Sequence, residues 1–124
     1  MIDLSNATFI IPIRIESEDR LRNVVTSTAF LLENFKTNII IKEVDRKSRF
    51  KRDAVPILKS ILSVPIDVHH IFEQSDDNLF HRQRVLNEMI MEADTEIVVN
   101  YDCDAILPIE SIKLAYDSIM DGTH

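Results

Sequence analysis

The chain contains a single glycine, Gly122, close to its C-terminal end. Loops that cradle phosphates with backbone N–H groups, such as the Walker loop and the GxGxxG turn, need several glycines after an early strand. Both kinds of loop are therefore excluded. If the chain binds a nucleotide, side chains and metal ions must make the contacts that a glycine-rich loop would otherwise supply.

Cysteine and long apolar runs are also scarce. Cys103 is the only cysteine, which excludes a disulfide framework and is consistent with a reducing compartment. No apolar run approaches the roughly 20 residues that a membrane span requires, and the first residues lack the pattern of a signal peptide. We therefore expect a cytoplasmic protein without a membrane span.

The charge is biased towards acids, with 21 acidic and 14 basic residues and a formal net charge of −7. Nucleic-acid binding calls for a basic surface, so this balance argues against nucleic acid as a partner. An acidic protein that handles phosphates usually does so through a metal ion or through a few placed arginines.

Apolar runs typical of strands alternate along the chain with stretches whose apolar residues recur at helical spacing. This alternation predicts an α/β fold of three layers, with a mostly parallel sheet between two layers of helices. The length fits one domain, residues 1–124, with one modest core. The predicted strands cover residues 8–15, 38–44, 67–72 and 96–101, and the predicted helices begin near Ser17 and Asp53 or cover residues 79–93 and 109–121.

Two segments depart from these simple patterns. Pro12 lies inside the first predicted strand and has no N–H to donate, so we expect the strand pairing to loosen there. Residues 45–52 are polar and rich in lysine and arginine, which predicts a loop.

Two aspartates, Asp102 and Asp104, follow the apolar run of the fourth predicted strand. In a parallel sheet, ligands bind beyond the carboxyl ends of the strands, so this pair would lie at the binding edge. Carboxylate oxygens are the ligands that hard divalent cations prefer. The pair alone is weak, because about one Asp-x-Asp is expected by chance in a chain of this composition. Its position after a buried strand favours an Mn²⁺ or Mg²⁺ site.

Other carboxylates reach the same predicted edge. Glu16 follows the first strand, Glu43 and Asp45 lie at the end of the second, and residues 76–77 follow the third. Carboxylates gathered in this way repel one another unless cations lie among them. We therefore expect a divalent metal ion and a few arginines at this edge, whereas Asp76 and Asp77 are expected to be solvated loop acids that need no partner.

Arg82 is the arginine best placed for this role. Helical spacing puts it on the face of Leu86 and Met89, which we expect to pack on the sheet, and in the first turn of its helix. The helix dipole and the apolar surroundings both disfavour a cation there. A ligand phosphate would compensate, and so would an ion pair with Asp77 or Asp102. Either interpretation places Arg82 next to the site.

Several other polar residues are predicted to have no ligand role. His69 and His70 are neighbours in a strand and point to opposite faces, so they cannot share one metal ion. Arg84 lies on the outer face of its helix, where we expect it to be solvated.

Three segments resemble the nucleotide-binding half of a GT-A glycosyltransferase, close to family 2 and to the galactosyltransferase-type domains. They are FIIPIRIES, IIIKEVD and FHRQRVLNEMIMEADTEIVVNYDCDAILP, and the resemblance spans about residues 7–121. The first resembles the strand whose proline-containing end lines the nucleotide pocket. The second resembles the strand whose terminal acid contacts the base. The third, which is the most specific, resembles a Phe-x-Arg helix followed by the metal-binding Asp-x-Asp.

The resemblance implies a metal-dependent site for a nucleotide-diphospho-sugar, with a UDP-sugar favoured. Asp104 would ligate Mn²⁺ or Mg²⁺ on the diphosphate, and Asp102 would support the metal ion or bind the ribose. The residues implied to contact the nucleotide-sugar are Pro12, Arg14, Glu16, Glu43, Asp45, Arg82, Asn87 and Asp102.

The chain also departs from the family pattern. Many members carry an Asp-Asp-Gly-Ser type turn after the second strand, whereas residues 43–48 here are EVDRKS. A complete GT-A domain is about twice as long, and its other half supplies the acceptor site and the general base of an inverting enzyme. We therefore expect a truncated GT-A fold that binds a nucleotide-sugar and transfers nothing by itself.

A second class of function remains open at this point. The chain could be a non-catalytic α/β interaction or regulatory module with an acidic sheet edge. An unfinished parallel sheet also exposes strand groups that can pair with a second copy, so a homodimer is left open.

Overall fold

The structure is a computed structural model that describes residues 1–101 and 108–121. Strands and helices alternate along this part of the chain, in the order β1 (Ile2–Ile13), α1 (Glu18–Asn34), β2 (Phe35–Asp45), α2 (Val55–Ile61), β3 (His69–Gln74), α3 (Arg82–Glu92), β4 (Ile97–Asn100) and α4 (Ile109–Met120). A short π-helical turn, Phe50–Ala54, leads directly into α2. None of the described helices is both long and apolar enough to cross a membrane.

The four strands form one parallel sheet in the order β3-β2-β1-β4. Ile10 of β1 lies opposite Ile40 of β2 on one side and Asn100 of β4 on the other. Because all strands run the same way, their carboxyl ends meet at one edge, where β1 and its neighbours deliver the candidate site residues. The predicted α/β class with a parallel sheet is confirmed.

Helices cover both faces of the sheet. On one face, Phe9 and Ile11 of β1 belong to a core that also contains Leu31 of α1 and is covered in addition by α2 and α4. On the other face, Ile10 of β1 packs with Met89 of α3 in a smaller core. β1 is thus buried on both faces, as expected for the continuous apolar run that its sequence shows.

The pairing of β1 to β2 does not loosen at Pro12, contrary to the prediction. The ladder to β2 continues past it, with Pro12 opposite Lys42 and Ile13 opposite Glu43. On the β4 side the ladder ends at Ile10 and Asn100. The carbonyl of Ile10 accepts a hydrogen bond from the N–H of Tyr101 and so faces the β4 side. Alternate residues of a strand point their backbone groups to the same side, so the backbone of Pro12 faces the β4 side as well. The missing N–H of Pro12 therefore faces the β4 side, beyond the last ladder pair that the described residues form there.

Two boundaries differ from the prediction because buried aromatic residues extend the regular structure. β2 begins at Phe35 rather than at residue 38, directly at the end of α1. Phe35 is 3% exposed and lies near the rings of Phe9 and Phe30, with centroids 6.4 and 6.0 Å away. Likewise, Phe50 is 1% exposed and forms a π-helical turn where part of a loop was predicted. Each case depends on tertiary burial that periodicity does not reveal.

Ser17 caps α1, as its sequence position predicts. Its Oγ accepts a hydrogen bond of 3.2 Å from the N–H of Arg20. We expect Ser17→Ala to lower the free energy of unfolding by about 1 kcal/mol, because this N–H then loses its acceptor, whereas Ser17→Gly should cost only about a few tenths of a kcal/mol. Urea unfolding at pH 7 measures both values, and equal losses would contradict the capping role.

Candidate functional site

A cavity of about 110 Å³ lies beyond the carboxyl end of β1, against the start of α3. We call it the arginine cavity. The residues that line it are Pro12, Ile13, Arg14, Glu16, Arg20, Phe80 and Arg82. Besides Arg20, which has an interaction of its own, the charged residues of this lining are two arginines, Arg14 and Arg82, and one carboxylate, Glu16. This charge balance favours an anionic ligand at the edge where parallel sheets bind ligands.

Arg14 is the buried arginine of this cavity, with 8% of its surface exposed. Its Nε donates to the carbonyl of Val44 at 2.8 Å and its Nη1 to the carbonyl of Asp77 at 2.9 Å. The guanidinium carbon lies 5.7 Å from the ring centroid of Phe80. Arg14 therefore joins the end of β1 to the end of β2 and to the segment that precedes α3.

The remaining nitrogen of Arg14, Nη2, is buried and has no hydrogen-bond partner among residues 1–101 and 108–121. Within the described residues no carboxylate forms an ion pair with this guanidinium. A buried charge without a counter-ion is costly, and a buried donor without an acceptor adds to the cost. An anion in the arginine cavity would remove both penalties.

Arg82 lines the same cavity but is exposed, which corrects the prediction that it lies on the core face of its helix. Leu86 and Met89 are buried as expected. Arg82 differs because it is the first residue of α3, at the edge of the sheet. The predicted ion pair with Asp77 is not formed, since that carboxylate lies 2.7 Å from His81 and also accepts from the N–H of Leu79.

Glu43, predicted to contact a base, is fully buried at 0% exposure. Its Oε2 accepts from the backbone N–H groups of Arg49 and Phe50 at 2.9 and 3.1 Å. Its Oε1 lies 2.7 Å from Ser48 Oγ and 3.1 Å from Nε2 of His70, whose ring lies 4.7 Å from that of Phe50. Both oxygens of Glu43 therefore have protein partners, and its visible role is to fix the segment that follows β2.

The surroundings of Glu43 also set its pKa. Burial by itself would raise the pKa, but the hydrogen bonds from His70, Ser48 and the N–H groups of Phe50 and Arg49 together outweigh it and lower the pKa below its ordinary value of 4.5. The carboxylate form is therefore the form that the fold stabilises.

Two other predicted contacts lie away from the arginine cavity. Asn87 is exposed on α3, accepts a hydrogen bond of 3.1 Å from Gln83, and lines a different cavity beside Lys42. The carboxylate of Asp45 accepts from the N–H of Arg46 at 2.7 Å at the end of β2. The structure therefore brings together Pro12, Arg14, Glu16 and Arg82, but places Glu43, Asp45 and Asn87 outside their cavity.

Arg84 is also placed differently from the prediction that it is only solvated. Its guanidinium bridges Glu73 of β3 at 2.9 Å and Glu88 of α3 at 2.8 Å, and Lys42 joins the same two carboxylates. These hydrogen bonds and charges hold the pKa of Glu73 and of Glu88 below the ordinary range. The cluster ties α3 to β2 and β3, and it is separate from the arginine cavity.

The predicted metal ligands Asp102 and Asp104 lie outside the described residues. Within residues 1–101 and 108–121, no group of three or more His, Cys, Asp or Glu side chains could hold a metal ion. The last described residue before the pair, Tyr101, donates its N–H to the carbonyl of Ile10 at 3.1 Å. Tyr101, the last described residue before Asp102, therefore lies beside β1, the strand whose carboxyl end leads to the arginine cavity.

Sequence reasoning named Arg14 and Glu43 as candidate site residues but missed the contacts that they make. The position of Arg14 near the end of the first predicted strand, two residues after Pro12, placed it at the binding edge. Its burial could not be deduced from the sequence. The hydrogen bonds of Glu43 to the segment after β2 could not be predicted. The sequence pattern predicts only that Glu43 ends a strand and that Ser48 and Phe50 lie in a loop.

Comparison of the chain with protein-family models, curated proteins and solved structures finds no match.

The lowered pKa of Glu43 generates a test of its structural role. Because the folded pKa lies below the unfolded value, ionised Glu43 stabilises the fold above about pH 4.5, and this contribution is lost as the pH falls through the folded pKa. Glu43→Gln cannot bind that proton. It should be less stable than the parent at pH 7 by about 1–3 kcal/mol, and the difference should shrink below pH 4.5.

Urea unfolding of both proteins between pH 7 and pH 3 measures this difference. Glu92→Gln, an exposed carboxylate of α3, is the matched control and should follow the parent curve. A gap between Glu43→Gln and the parent that stays constant down to pH 3 would contradict the assignment.

Proposed function

We propose that this chain binds a nucleotide-diphospho-sugar at the carboxyl edge of its sheet, together with a divalent cation, as the donor-binding part of a GT-A type glycosyltransferase. The observation that carries the proposal is the arginine cavity with the buried, partner-less Nη2 of Arg14. The resemblance of FIIPIRIES and of the Asp-x-Asp segment to that family supports the same function.

A diphosphate fits the chemistry of the arginine cavity. Arg14 is held in place by two carbonyl groups, so its free nitrogen is pre-oriented for an acceptor. Arg82 adds a second cation from the start of α3, where backbone N–H groups also favour negative charge. Pro12 presents an apolar wall beside them. The cavity volume of about 110 Å³ accommodates a phosphate group rather than a whole nucleotide, so the base and sugar would extend outwards.

The donor chemistry at the neighbouring strand fits a hard divalent cation. Asp102 and Asp104 would offer carboxylate oxygens, which Mn²⁺ and Mg²⁺ prefer. They follow Tyr101, which is hydrogen-bonded to β1. When bound, the cation would neutralise charge that develops on a leaving diphosphate. The proposal concerns donor binding, and it assigns no residue as acceptor site or general base.

Glu43 enters the proposal as a positioning residue. It holds the segment after β2, and Arg49 of that segment donates through Nη1 to the carbonyl of Ile15 at 2.8 Å, directly after Arg14. The contacts of Asp45 and Asn87 with the nucleotide-sugar stay predictions, and they would require a ligand that extends beyond the arginine cavity.

The alternative function, a regulatory or interaction module with an acidic edge, makes a different prediction for nucleotide binding. Such a module has no reason to bind UDP in a metal-dependent way. The titrations below therefore separate the two classes.

Arg82→Ala tests the arginine cavity without disturbing the core, because the side chain is exposed. We expect the variant to bind UDP about tenfold or more weakly in the presence of Mn²⁺, since hydrogen bonds to charged groups contribute about 1.5–3 kcal/mol. Isothermal titration calorimetry measures the affinities.

Arg84→Ala is the matched control for Arg82→Ala. It removes the same charge from the same helix, but from a cluster of exposed ion pairs that lies outside the cavity. UDP affinity should stay within about twofold of the parent. Equal losses in both variants would mean that the effect is only a change in net charge and would contradict the proposed site.

Asp104→Ala tests the predicted metal ligand. The parent should bind UDP more tightly with Mn²⁺ than with EDTA, and the variant should bind equally in both, because the carboxylate that recruits the cation is lost. The same titration with Asp94→Ala, an exposed aspartate before β4, controls for charge. If the parent binds neither UDP, GDP nor their sugars at millimolar concentration with Mn²⁺, the proposed function is wrong.

A further inference from the structure

The segment after β2 concentrates positive charge in an otherwise acidic chain. Residues 46–52, here called the basic loop, contain five lysines and arginines among seven residues, namely Arg46, Lys47, Arg49, Lys51 and Arg52. The whole chain carries a formal charge of −7, so the chain without these five cations would carry −12. The charge is therefore strongly separated, which creates a local positive field.

The backbone of the basic loop is fixed rather than free to move its charges apart. Glu43 accepts from the N–H groups of Arg49 and Phe50, and Ser48 donates to the same carboxylate. The N–H of Lys51 in turn donates to Ser48 Oγ at 3.3 Å. The buried ring of Phe50 anchors the loop in the core. The backbone that carries these cations is therefore held in a defined conformation.

The basic loop borders the arginine cavity. Arg49 donates to the carbonyl of Ile15, directly after Arg14. Arg46 donates through Nη2 to Oδ1 of Asn78 at 3.0 Å, next to the residue whose carbonyl binds Arg14. An extended ligand on the loop would therefore reach the mouth of the cavity.

Most of the charge on the loop is uncompensated. Asp53 pairs with Arg52 at 2.8 Å and lies 3.6 Å from Nε of Arg49. Across the described part of the chain, no carboxylate pairs with Arg46, Lys47 or Lys51, and all three are exposed. Like charges held close together repel one another, so a polymer of negative charges would relieve the repulsion.

The side chains of the loop disfavour single-stranded nucleic acid as that polymer, and the net charge of −7 disfavours a duplex. Proteins that bind single strands combine cations with exposed aromatic rings on which bases stack. The only aromatic residue of the loop, Phe50, is 1% exposed and packs against the ring of His70. A carbohydrate polymer with charged groups needs no stacking platform of this kind.

We propose that the basic loop binds an acidic glycan, which serves as the acceptor for the sugar held at the arginine cavity. The acceptor role rests on the proposed donor function, whereas the binding of the glycan rests on the charge and rigidity of the loop alone. The substrate class is thus a sugar polymer that carries carboxylates or other anionic groups.

The test uses oligogalacturonate of about ten units as the probe and follows its binding by fluorescence anisotropy at several salt concentrations. Lys47→Ser/Lys51→Ser should bind at least about fivefold more weakly at low salt, and the slope of log Kd against log salt should fall by about 1–2, since two contacts are lost. Lys47→Arg/Lys51→Arg keeps the charge and should bind like the parent. Lys36→Ser/Lys59→Ser removes two exposed lysines elsewhere and should also bind like the parent.

Three results would overturn the proposal. The first is equal glycan affinity of the parent and Lys47→Ser/Lys51→Ser. The second is tighter binding of single-stranded DNA with the same number of charges, which would make the loop a nucleic-acid surface. The third is an equal loss of UDP affinity in Lys47→Ser/Lys51→Ser, which would make the loop part of the donor site. Loop-dependent glycan binding without UDP binding would support the loop and refute the donor site, so the two proposals fail separately.

Discussion

Two buried charges of opposite sign hold the carboxyl edge of the sheet together, one on each face. Glu43 lies on the face of the larger core and accepts from backbone N–H groups of the segment after β2. Arg14 lies on the face of α3 and donates to carbonyl groups of β2 and of the segment before α3. Each charge is taken out of water because hydrogen-bonding groups of the protein, mostly backbone groups, replace the solvent. The geometry of the candidate site depends on both.

The two charges differ in how completely the protein satisfies them, and this difference separates structure from function. Both oxygens of Glu43 have protein partners, so its burial is explained by the fold alone. The Nη2 of Arg14 has none, although it is equally removed from solvent. Folding alone gives no reason to bury this donor beside a cavity. A ligand that accepts a hydrogen bond and carries negative charge gives one.

The class and order of the fold could be predicted from the sequence because they depend on local patterns. The strand–helix alternation, the Ser17 cap and the central position of the first strand follow from periodicity and from short-range hydrogen bonds. The extension of β2 to Phe35 and the turn at Phe50 could not be predicted, because they depend on aromatic burial against distant strands.

The location of the candidate site could be predicted from the sequence, but the contacts of its residues could not. Parallel strands bring Pro12, Arg14 and Glu16 to one edge whatever their side chains do. A carboxylate such as Glu43 can bind a neighbouring segment or a ligand. The outcome depends on hydrogen-bond donors that the tertiary fold brings close, and no local sequence pattern reveals them. The first-turn position of Arg82 was correct, but its exposure depends on where the sheet ends beneath the helix.

Under the proposed function, the strand order would let one edge of the sheet serve both a diphosphate and its cation. β1 lies between β2 and β4, and neighbouring strands are about 4.8 Å apart. Arg14 and the chain that leads into Asp102 therefore issue from adjacent strands. A diphosphate bound between them would meet guanidinium donors on the side of α3 and a carboxylate-held cation on the side of β4. In this arrangement the acids and the arginines have complementary tasks, because the acids hold the cation and the arginines contact the phosphate directly. Under the proposed function, Asp102 and Asp104 would serve the cation, and the buried Arg14 would serve the anion.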